Sequence, residues 1–248
     1  MTYCVALNLQ GGLVMLADTR TNAGADHVRT CRKLHVVEEP GERVLALMCA
    51  GNLAVSQAVV QLLTEGFELD RGRGRESVRS APSVFRAAQL VGAAVRQVYR
   101  ADGEALQAQN VTFDVSFLLG GQIAGGPPAL FQIYAAGNFI QAGPDMPFLQ
   151  IGEHKYGKPI LDRALSYDTA LEDGVKLALI SMDSTLRSNL TVGLPADLLL
   201  LRANALRVGL QRRIGEEDPY FRMIRERWSS ALREAYQGIP RPDWPSVA

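Results

Sequence analysis

The sequence has no excess of charge of either sign and no long apolar run, and both absences narrow its possible partners. Its 26 basic and 26 acidic side chains give a formal net charge of zero. The chain therefore has no overall positive charge that would attract nucleic acid or an anionic membrane. No apolar stretch reaches the length of about 18 residues that a membrane-spanning helix needs. We therefore expect neither nucleic acid nor a membrane as a partner.

Cysteine is also scarce, and the three residues present form no CxxC pair: Cys4, Cys31 and Cys49. An odd count cannot close completely into disulfides, so we interpret them as small buried residues in a reducing compartment. The segment 2–9 lacks the basic start and the uninterrupted apolar core of a signal peptide. We expect a cytoplasmic protein with no metal ion and no other cofactor.

The size and composition fit an ordinary globular protein. Its 248 residues, of which 47% are hydrophobic, suffice for one large domain or two small ones. Because no repeat, linker or low-complexity tract divides the chain, we predict a single domain over residues 1–248. Residues 207–248 are predicted to form a charged, helical C-terminal extension, whose helix is either a contact between subunits or a solvated surface helix.

The apolar patterns predict blocks of strands separated by pairs of helices. Two hairpins open the chain, at 3–17 around a Gln-Gly-Gly turn and at 33–49 around a Pro-Gly turn. Further strands are predicted at 111–119, 129–136, 139–142 and 197–206, and helices at 53–65, 83–101, 158–166, 169–186 and 216–236. Segregated blocks of this kind indicate an α+β fold, layered as an αββα sandwich, and not alternating βαβ units.

Thr2 is the first candidate for chemistry. Removal of Met1 would leave Thr2 with a hydroxyl group and a free α-amine on one residue. An unperturbed α-amine has a pKa of about 8, so it can act as a general base toward the hydroxyl group near neutral pH. Small second residues are common, however, so Thr2 alone is weak support for catalysis.

Asp18 and Lys33 strengthen the case for Thr2. The first hairpin brings the end of its second strand, where Asp18 lies, beside the start of its first strand. Lys33 opens the next strand after the polar loop 19–32. A Lys33 ammonium near the α-amine would lower the pKa of that amine, and Asp18 would keep Lys33 charged and oriented. Taken singly, each residue is more often a solvated charge at a strand end.

Gly51 is the fourth candidate. It lies between a predicted strand and a predicted helix that Asn52 begins, so its N–H group is close to the unpaired amides of a helix N-terminus. An N–H group in that position can stabilise the oxyanion of an acyl-transfer reaction. The alternative is a glycine that only the tight turn requires.

In combination these residues resemble the proteasome β-type subunits. The resemblance rests on Thr2, the Gly11-Gly12 turn, the run 17–20 (Ala-Asp-Thr-Arg), Lys33, and Ala50-Gly51 at a strand end. More narrowly, the segments IGEHKYGKP at 151–159 and SMDSTLRSN at 181–189 resemble the bacterial ancestral β-subunit family, Anbu. The resemblance covers most of the chain in the order of its elements.

The resemblance implies an N-terminal-nucleophile hydrolase fold, in which two antiparallel sheets stack between helix layers. It implies a threonine peptidase in which Thr2 attacks a carbonyl, Asp18 and Lys33 tune the site, and the Gly51 N–H group holds the oxyanion. It also implies a homo-oligomeric ring or spiral that acts on peptides or unfolded proteins. Whether an ATP-driven unfoldase is a further partner stays open.

The resemblance alone places three other residues at the site. A serine and an acid found late in proteasome chains would fall around Thr185 and Ser188. Proteasome subunits commonly have Gly-Ser near the site, where this chain has Gly152-Glu153. The Glu153 carboxylate would orient the N-terminal amine in place of the hydroxyl group, or it would shift the charge state of that amine.

Two other functions share these observations. An amidase of narrow specificity would keep the fold but accept only a short amide near Thr2. A non-catalytic, self-assembling scaffold would be similar to the proteasome α-type subunits. A scaffold needs none of Thr2, Asp18, Lys33 and Gly51, so the presence of all four argues against it.

Overall fold

The computed structural model describes residues 2–23, 27–69 and 74–244. The strands are β1 (Tyr3–Leu9), β2 (Gly12–Asp18), β3 (Arg20–Ala23), β4 (His27–Thr30), β5 (Leu34–Glu39), β6 (Arg43–Gly51), β7 (Phe67–Glu68), β8 (Arg75–Glu76), β9 (Val115–Ile123), β10 (Ala129–Ile133), β11 (Phe139–Gln141), β12 (Phe148–Gly152), β13 (Ala196–Arg202) and β14 (Leu210–Ile214). The helices are α1 (Leu53–Glu65), α2 (Val84–Ala108), α3 (Lys158–Ala164), α4 (Leu171–Ser188) and α5 (Pro219–Gly238).

Two antiparallel, five-stranded sheets form the centre of the fold. The first sheet has the order β12-β1-β2-β13-β14, and the second has the order β11-β10-β9-β6-β5. The two hairpins predicted at the start of the chain are present as β1–β2 and β5–β6, but they belong to different sheets. The start of β1 and the start of β5 can therefore meet only across the space between the sheets.

Strand β1 is buried on both faces, which explains its unbroken apolar sequence. Tyr3, Val5 and Leu7 belong to a buried cluster shared with α3 and α4. Cys4 and Ala6 belong to a second cluster, which side chains of the other sheet complete, since successive side chains of a strand point to opposite faces. A strand held from both sides fixes the position of the residue that precedes it.

The helices cover the outer faces of the two sheets. The side chains of α1 and α2 pack with β6, β9 and β10 in one cluster, whereas those of α4 and α5 pack with β1, β2 and β13 in another. A third cluster fills the space between the sheets. The order of layers is helix, sheet, sheet, helix, which confirms the predicted αββα sandwich.

Six short strands lie where the sequence pattern predicted none: β3, β4, β7, β8, β12 and β14. The loop predicted at 19–32 contains the β3–β4 hairpin, β12 precedes α3, and β14 lies within the extension predicted as helical. β12 and β14 are the two edges of the first sheet. Edge strands this short give little alternation of apolar and polar residues, so periodicity alone is a weak signal for them.

The strand predicted at 111–119 is displaced along the chain, since β9 begins at Val115. Asn110 has a positive φ of 55°, a left-handed conformation that asparagine tolerates better than most residues. It leads into an irregular segment in which the Asp114 carbonyl accepts a hydrogen bond from the Asn52 N–H group at 2.7 Å.

None of the helices in the described ranges combines the length and the apolar content that are needed to span a bilayer.

Candidate active site

Thr2 lies immediately before β1 and is buried. Its carbonyl oxygen accepts a hydrogen bond from the Glu153 N–H group at 2.6 Å, and the pairing of Tyr3 with Gly152 continues this ladder along β12. The backbone of Thr2 is therefore held by the strand on one side of β1. Met1, whose removal the sequence interpretation requires, lies outside the described residues.

Asp18 ends β2 and is completely buried. Its Oδ1 atom accepts hydrogen bonds from the Tyr3 N–H group at 3.0 Å and from Lys33 Nζ at 2.6 Å. Its Oδ2 atom accepts from the Arg20 and Gly193 N–H groups at 3.2 and 3.3 Å. The register of the first hairpin thus brings this carboxylate to the residue that follows Thr2, as the sequence predicted.

Lys33 comes from the other sheet and reaches Asp18 across the space between them. Its Nζ atom donates to Asp18 Oδ1 and to the Arg20 carbonyl oxygen, both at 2.6 Å, and the side chain is only 6% exposed. An ammonium group has three N–H donors, and these two bonds use two of them. The third donor has no partner among the described residues, so Lys33 has capacity for a group that enters the site.

Burial and pairing act in opposite directions on the Asp18 carboxyl. Burial raises its pKa above the usual value, while the Lys33 ammonium and the hydrogen bonds from Lys33, Tyr3 and Gly193 act to lower it. Removal of two charged groups from water has a large desolvation free energy, and apolar residues of the same volume would often stabilise the fold at least as well. A buried Asp18–Lys33 pair is therefore better explained by chemistry than by packing.

Gly51 occupies the end of β6, where only glycine fits. Its φ is +105°, and a Cβ atom there would lie 2.2 Å from the Asp114 carbonyl oxygen. The Cys49 N–H group donates to the Lys33 carbonyl oxygen, whereas the Asn52 N–H group points the other way, toward Asp114. Because amides alternate between the two sides of a strand, the Gly51 N–H group faces the side of Lys33, beyond the start of β5.

Asn52 begins α1 and fixes this turn. Its side-chain Oδ1 atom accepts hydrogen bonds from the Ala54 and Val55 N–H groups at 3.0 and 3.3 Å, as an N-cap residue does. The sequence predicted this cap. The Asn52 cap holds the Gly51 amide at the N-terminal end of α1, where the partial positive charge of the helix dipole would stabilise an anion that develops during a reaction.

Glu153 follows β12 and is 4% exposed. Its Oε1 atom accepts hydrogen bonds from the His154 and Lys155 N–H groups, both at 2.9 Å, and its Oε2 atom accepts from Asn189 Nδ2 at 2.8 Å. Burial acts to raise the pKa of this carboxyl, but the hydrogen bonds outweigh it and the pKa is lowered. Glu153 is thus an anion that ties together two loops beside Thr2.

Gly152 makes the approach of Glu153 to Thr2 possible. Its φ is +81°, and a Cβ atom built there would lie 2.0 Å from the Thr2 carbonyl oxygen and 3.2 Å from Thr2 Cβ. No side chain fits at this position without displacing Thr2. The Gly152-Glu153 pair is therefore in contact with Thr2 through its backbone.

The loop after α4 supplies contacts that the sequence interpretation missed. Besides the Asn189 bond to Glu153, the Gly193 N–H group donates to Asp18, and Arg20 Nη1 donates to the Leu190 carbonyl oxygen at 2.9 Å. A Cβ atom on Gly193 would lie 2.1 Å from Arg20 Nε. The Asn189–Gly193 segment therefore packs against both buried carboxylates. Its first residue, Asn189, is the last residue of the 181–189 motif, and that overlap is the signal in the sequence that could have indicated the segment.

Thr185 and Ser188, placed at the site by resemblance, lie on the last turns of α4. Thr185 is buried, and its hydroxyl group donates to the Ser181 carbonyl oxygen of the same helix at 2.9 Å. Ser188 is exposed. Among the described residues, neither side chain is hydrogen-bonded to Thr2, Asp18 or Lys33, so their assignment to the site stays a prediction.

The three cysteines lie near the site but differ in exposure. Cys4 and Cys49 are buried, as predicted, and all three are free thiols. Burial raises the pKa of both buried thiols, that of Cys49 to about 11. Cys31 is partly exposed instead, because it closes the base of the β3–β4 hairpin through its N–H bond to the Thr19 carbonyl oxygen.

The arrangement brings together the parts that acyl transfer requires. It combines a buried hydroxyl residue at the start of a strand, a lysine with a spare donor, a carboxylate that orients the lysine, and a glycine N–H group facing the same side. A hydroxyl group, an oriented ammonium group and a free backbone N–H group are the kinds of group that acyl-transfer catalysis uses. A further buried group, Glu153, holds the loops that surround these groups.

Comparison with known proteins places this geometry in a family. The family model described as proteasome subunit matches residues 2–193. A comparison with curated proteins gives no match. Matched solved structures include "Anbu (ancestral beta-subunit)" from Yersinia bercovieri, at 46% identity and a TM-score of 0.89, covering 97% of this chain and 99% of that one.

Two further structures agree with that match. An Anbu (Gly-1) mutant from Hyphomicrobium sp. strain MC1 is 48% identical, with a TM-score of 0.89, over 98% of this chain and 100% of that one. A helical assembly of the Anbu complex from Pseudomonas aeruginosa is 50% identical, with a TM-score of 0.88, over 97% and 98% of the two chains. The resemblance inferred from the motifs is confirmed.

Proposed function

Because this chain belongs to the proteasome subunit family and to its Anbu branch, we propose that it is a threonine-type peptidase that assembles with copies of itself. Thr2, exposed as the first residue by removal of Met1, is the nucleophile. The observation that carries the proposal is the buried Asp18–Lys33 pair, which hydrogen-bonds to the N–H group of the residue next to Thr2.

The proposed reaction assigns one task to each group. The Thr2 hydroxyl oxygen attacks the carbonyl carbon of a peptide bond, and its proton passes to the Thr2 α-amine. Lys33, held by Asp18, lowers the pKa of that amine through its positive charge. The charge that develops on the carbonyl oxygen is stabilised by the Gly51 N–H group. The protonated amine then gives its proton to the departing amine of the peptide.

The second half of the reaction regenerates the enzyme. Water, deprotonated by the Thr2 α-amine, attacks the ester that links the acyl group to Thr2. The tetrahedral intermediate again places its oxyanion at Gly51, and collapse releases the carboxylic acid and the Thr2 hydroxyl group. Glu153 acts through its loops: its N–H group holds the Thr2 carbonyl oxygen, and its carboxylate fixes Asn189.

A covalent probe tests the nucleophile directly. Treatment with a peptide epoxyketone, which reacts with both the hydroxyl group and the α-amine of an N-terminal threonine, should add one inhibitor mass to Thr2 in a chain that has lost Met1. Thr2→Ala should give no adduct and no peptide hydrolysis, and Thr2→Ser should retain both. Hydrolysis that survives in Thr2→Ala, with Met1 removed in both proteins, would rule out this mechanism.

Self-assembly is the second part of the proposal. The related structure from P. aeruginosa is a helical assembly, and the zero net charge of this chain does little to keep copies apart. Light scattering across a range of concentrations should give masses well above that of one chain. A constant mass of 27.0 kDa would contradict the assembly while leaving the peptidase chemistry untouched.

A further inference from the structure

A cluster of arginines lies between α4 and α5, away from the residues assigned to catalysis. It lines a cavity of about 510 Å³ together with one serine and one glutamate; the lining residues are Arg187, Arg222, Arg225, Glu226, Ser229 and Arg233. All but Arg187 lie on one face of α5, because residues three, four, seven and eleven apart return to the same side of a helix. We define these six residues as the arginine pocket.

Two of the arginines, Arg187 and Arg225, are oriented by hydrogen bonds to the buried Asp183 carboxylate. Arg187 Nε and Arg225 Nε donate to Oδ2 and Oδ1 of Asp183 at 3.2 and 2.9 Å. Asp183 is fully buried, and the Arg225 guanidinium also lies 5.8 Å from the centre of the buried Phe221 ring. Because both bonds use Nε, the terminal nitrogens of each guanidinium keep their donors for another partner.

The other two arginines add charge that Asp183 does not neutralise. Arg222 Nε donates to the Glu216 carbonyl oxygen at 3.1 Å and the same side chain pairs with Glu217. Arg233 has no ion-pair or hydrogen-bond partner among the described residues. Glu217, through its pair with Arg222, and Glu226, which lines the pocket, each offset part of the positive charge.

We propose that the arginine pocket binds a small polyanion that carries several phosphate groups. Guanidinium groups donate two parallel hydrogen bonds to phosphate oxygens, and pre-positioned ones lose little entropy on binding. From Arg222 to Arg233 the pocket extends about 16 Å along α5, which favours an extended anion over a single phosphate. None of the described residues that line the pocket is aromatic, so the pocket offers a nucleobase no ring to stack on.

The test uses variants that leave Asp183 paired. In Arg222→Gln/Arg233→Gln, two cations are lost from the pocket but Arg187 and Arg225 still neutralise the buried carboxylate. The matched control is Arg227→Gln, which removes a charge from a different face of the same helix, where a separate cavity lies. Glu226→Gln tests the opposite sign, since it removes the anionic side chain from the pocket.

Tripolyphosphate binding is measured by isothermal titration calorimetry on the full-length protein at constant ionic strength. We expect saturable binding of one ion per chain, weakened about tenfold or more by the double substitution. Binding should change less than about twofold in Arg227→Gln and tighten in Glu226→Gln. Citrate, with carboxylates in place of phosphates, should bind more weakly.

Several results would overturn the proposal. Equal weakening by Arg227→Gln would mean that tripolyphosphate responds only to overall charge. Equal affinity for citrate would remove the preference for phosphate. Absence of binding to the unsubstituted protein, combined with a change of oligomeric mass in the double variant, would show that the pocket is a contact between copies of the chain. Thr2 chemistry is independent of all three results.

Discussion

The candidate active site has two halves that differ in how they are built. The front half consists of Thr2, Asp18 and Lys33, which lie at the ends of β1, β2 and β5. The rear half consists of Glu153, Asn189 and Gly193, which lie on loops after β12 and α4. Strand register places Asp18 beside the start of β1, and a side-chain bond between the sheets joins Lys33 to it. Side-chain and backbone hydrogen bonds between loops place the rear half.

Each half contains one buried carboxylate, and the two carboxylates have different partners. Asp18 is paired with a cation, Lys33, in addition to backbone N–H groups. Among the described residues, the hydrogen-bond donors to Glu153 are neutral: two backbone N–H groups and the Asn189 amide. The pKa of Asp18 is raised and that of Glu153 is lowered. The comparison indicates a chemical role for the front half and a positioning role for the rear half.

The largest expected effect comes from the front half. Lys33→Met should lower kcat/KM for a peptide substrate by about 10³-fold, because no neighbouring cation would then lower the pKa of the Thr2 α-amine, the proposed general base. It should also destabilise the fold by about 3–5 kcal/mol, because Asp18 is left buried without its cation. Urea denaturation and peptide hydrolysis on the same preparations measure the two effects.

The double variant Lys33→Met/Asp18→Asn separates the two effects. Neutralising Asp18 removes the unpaired charge, so stability should return toward that of the unsubstituted protein while activity stays lost. If activity returned together with stability, the Asp18–Lys33 pair would be structural, and the distinction between the two halves would fail.

A smaller effect is expected from the rear half. Asn189→Ala removes the donor to Glu153 Oε2 and should destabilise the protein by about 1–3 kcal/mol. Displacement of the loops beside Thr2 should lower kcat about tenfold to a hundredfold with little change in the pH profile. Asn189→Asp, which places a second carboxylate against Glu153, should be more damaging than Asn189→Ala. A loss as large as that of Lys33→Met would place Asn189 in the chemistry itself.

The two carboxylates should also give opposite pH dependence of stability. The lowered pKa of Glu153 means that its contribution is present above about pH 4.3, the unfolded value, and is lost as the pH falls through the lower folded value. The raised pKa of Asp18 means that its contribution is greatest below about pH 3.9 and declines as the pH rises through the folded value.

Urea denaturation of Asp18→Asn and Glu153→Gln across acidic pH measures this contrast. The stability difference between the unsubstituted protein and Glu153→Gln should shrink as the solution is acidified, and the difference for Asp18→Asn should change in the other direction. Differences that change in the same direction would show that the two carboxylates occupy equivalent environments.

The smallest effect is expected from Ser188→Ala. The Ser188 side chain is exposed at the end of α4, so its removal should change kcat/KM by less than about threefold. Thr185→Val, which removes a buried hydroxyl group bonded within its own helix, serves as the comparison. A loss above about a hundredfold in Ser188→Ala would support the role that the resemblance gave it and extend the rear half by one residue.

The sequence predicted the positions of Asp18 and Gly51 because their geometry follows from short-range patterns, whereas the contact of Lys33 with Asp18 crosses between the sheets. A Gly-Gly turn between two apolar runs brings Asp18 to the start of β1, and a strand-to-helix junction capped by Asn52 places Gly51. In both places the interacting residues are joined by a turn or a hairpin, so spacing along the chain determines distance in space. The αββα layering followed from the order of these same elements.

The rear half could not be predicted in the same way. Glu153 and Asn189 are 36 residues apart, and their contact depends on how β12 joins the edge of the first sheet and where α4 ends. β12 itself was missed, because its five residues carry little periodicity. The sequence motif led to Thr185 and Ser188 on the helix, whereas the hydrogen bonds to the site come from Asn189, the last residue of the motif, and from Gly193 beyond it.

The start of β1 at Tyr3 has a practical consequence for handling this protein. The Tyr3 N–H group is fixed to Asp18, and Gly152 packs against Thr2. An affinity tag or fluorescent fusion ahead of Thr2 would turn the proposed base into an amide and place new chain against this packed strand. Such handles belong after Trp244, which is 66% exposed, or in an exposed loop far from β1 and β12.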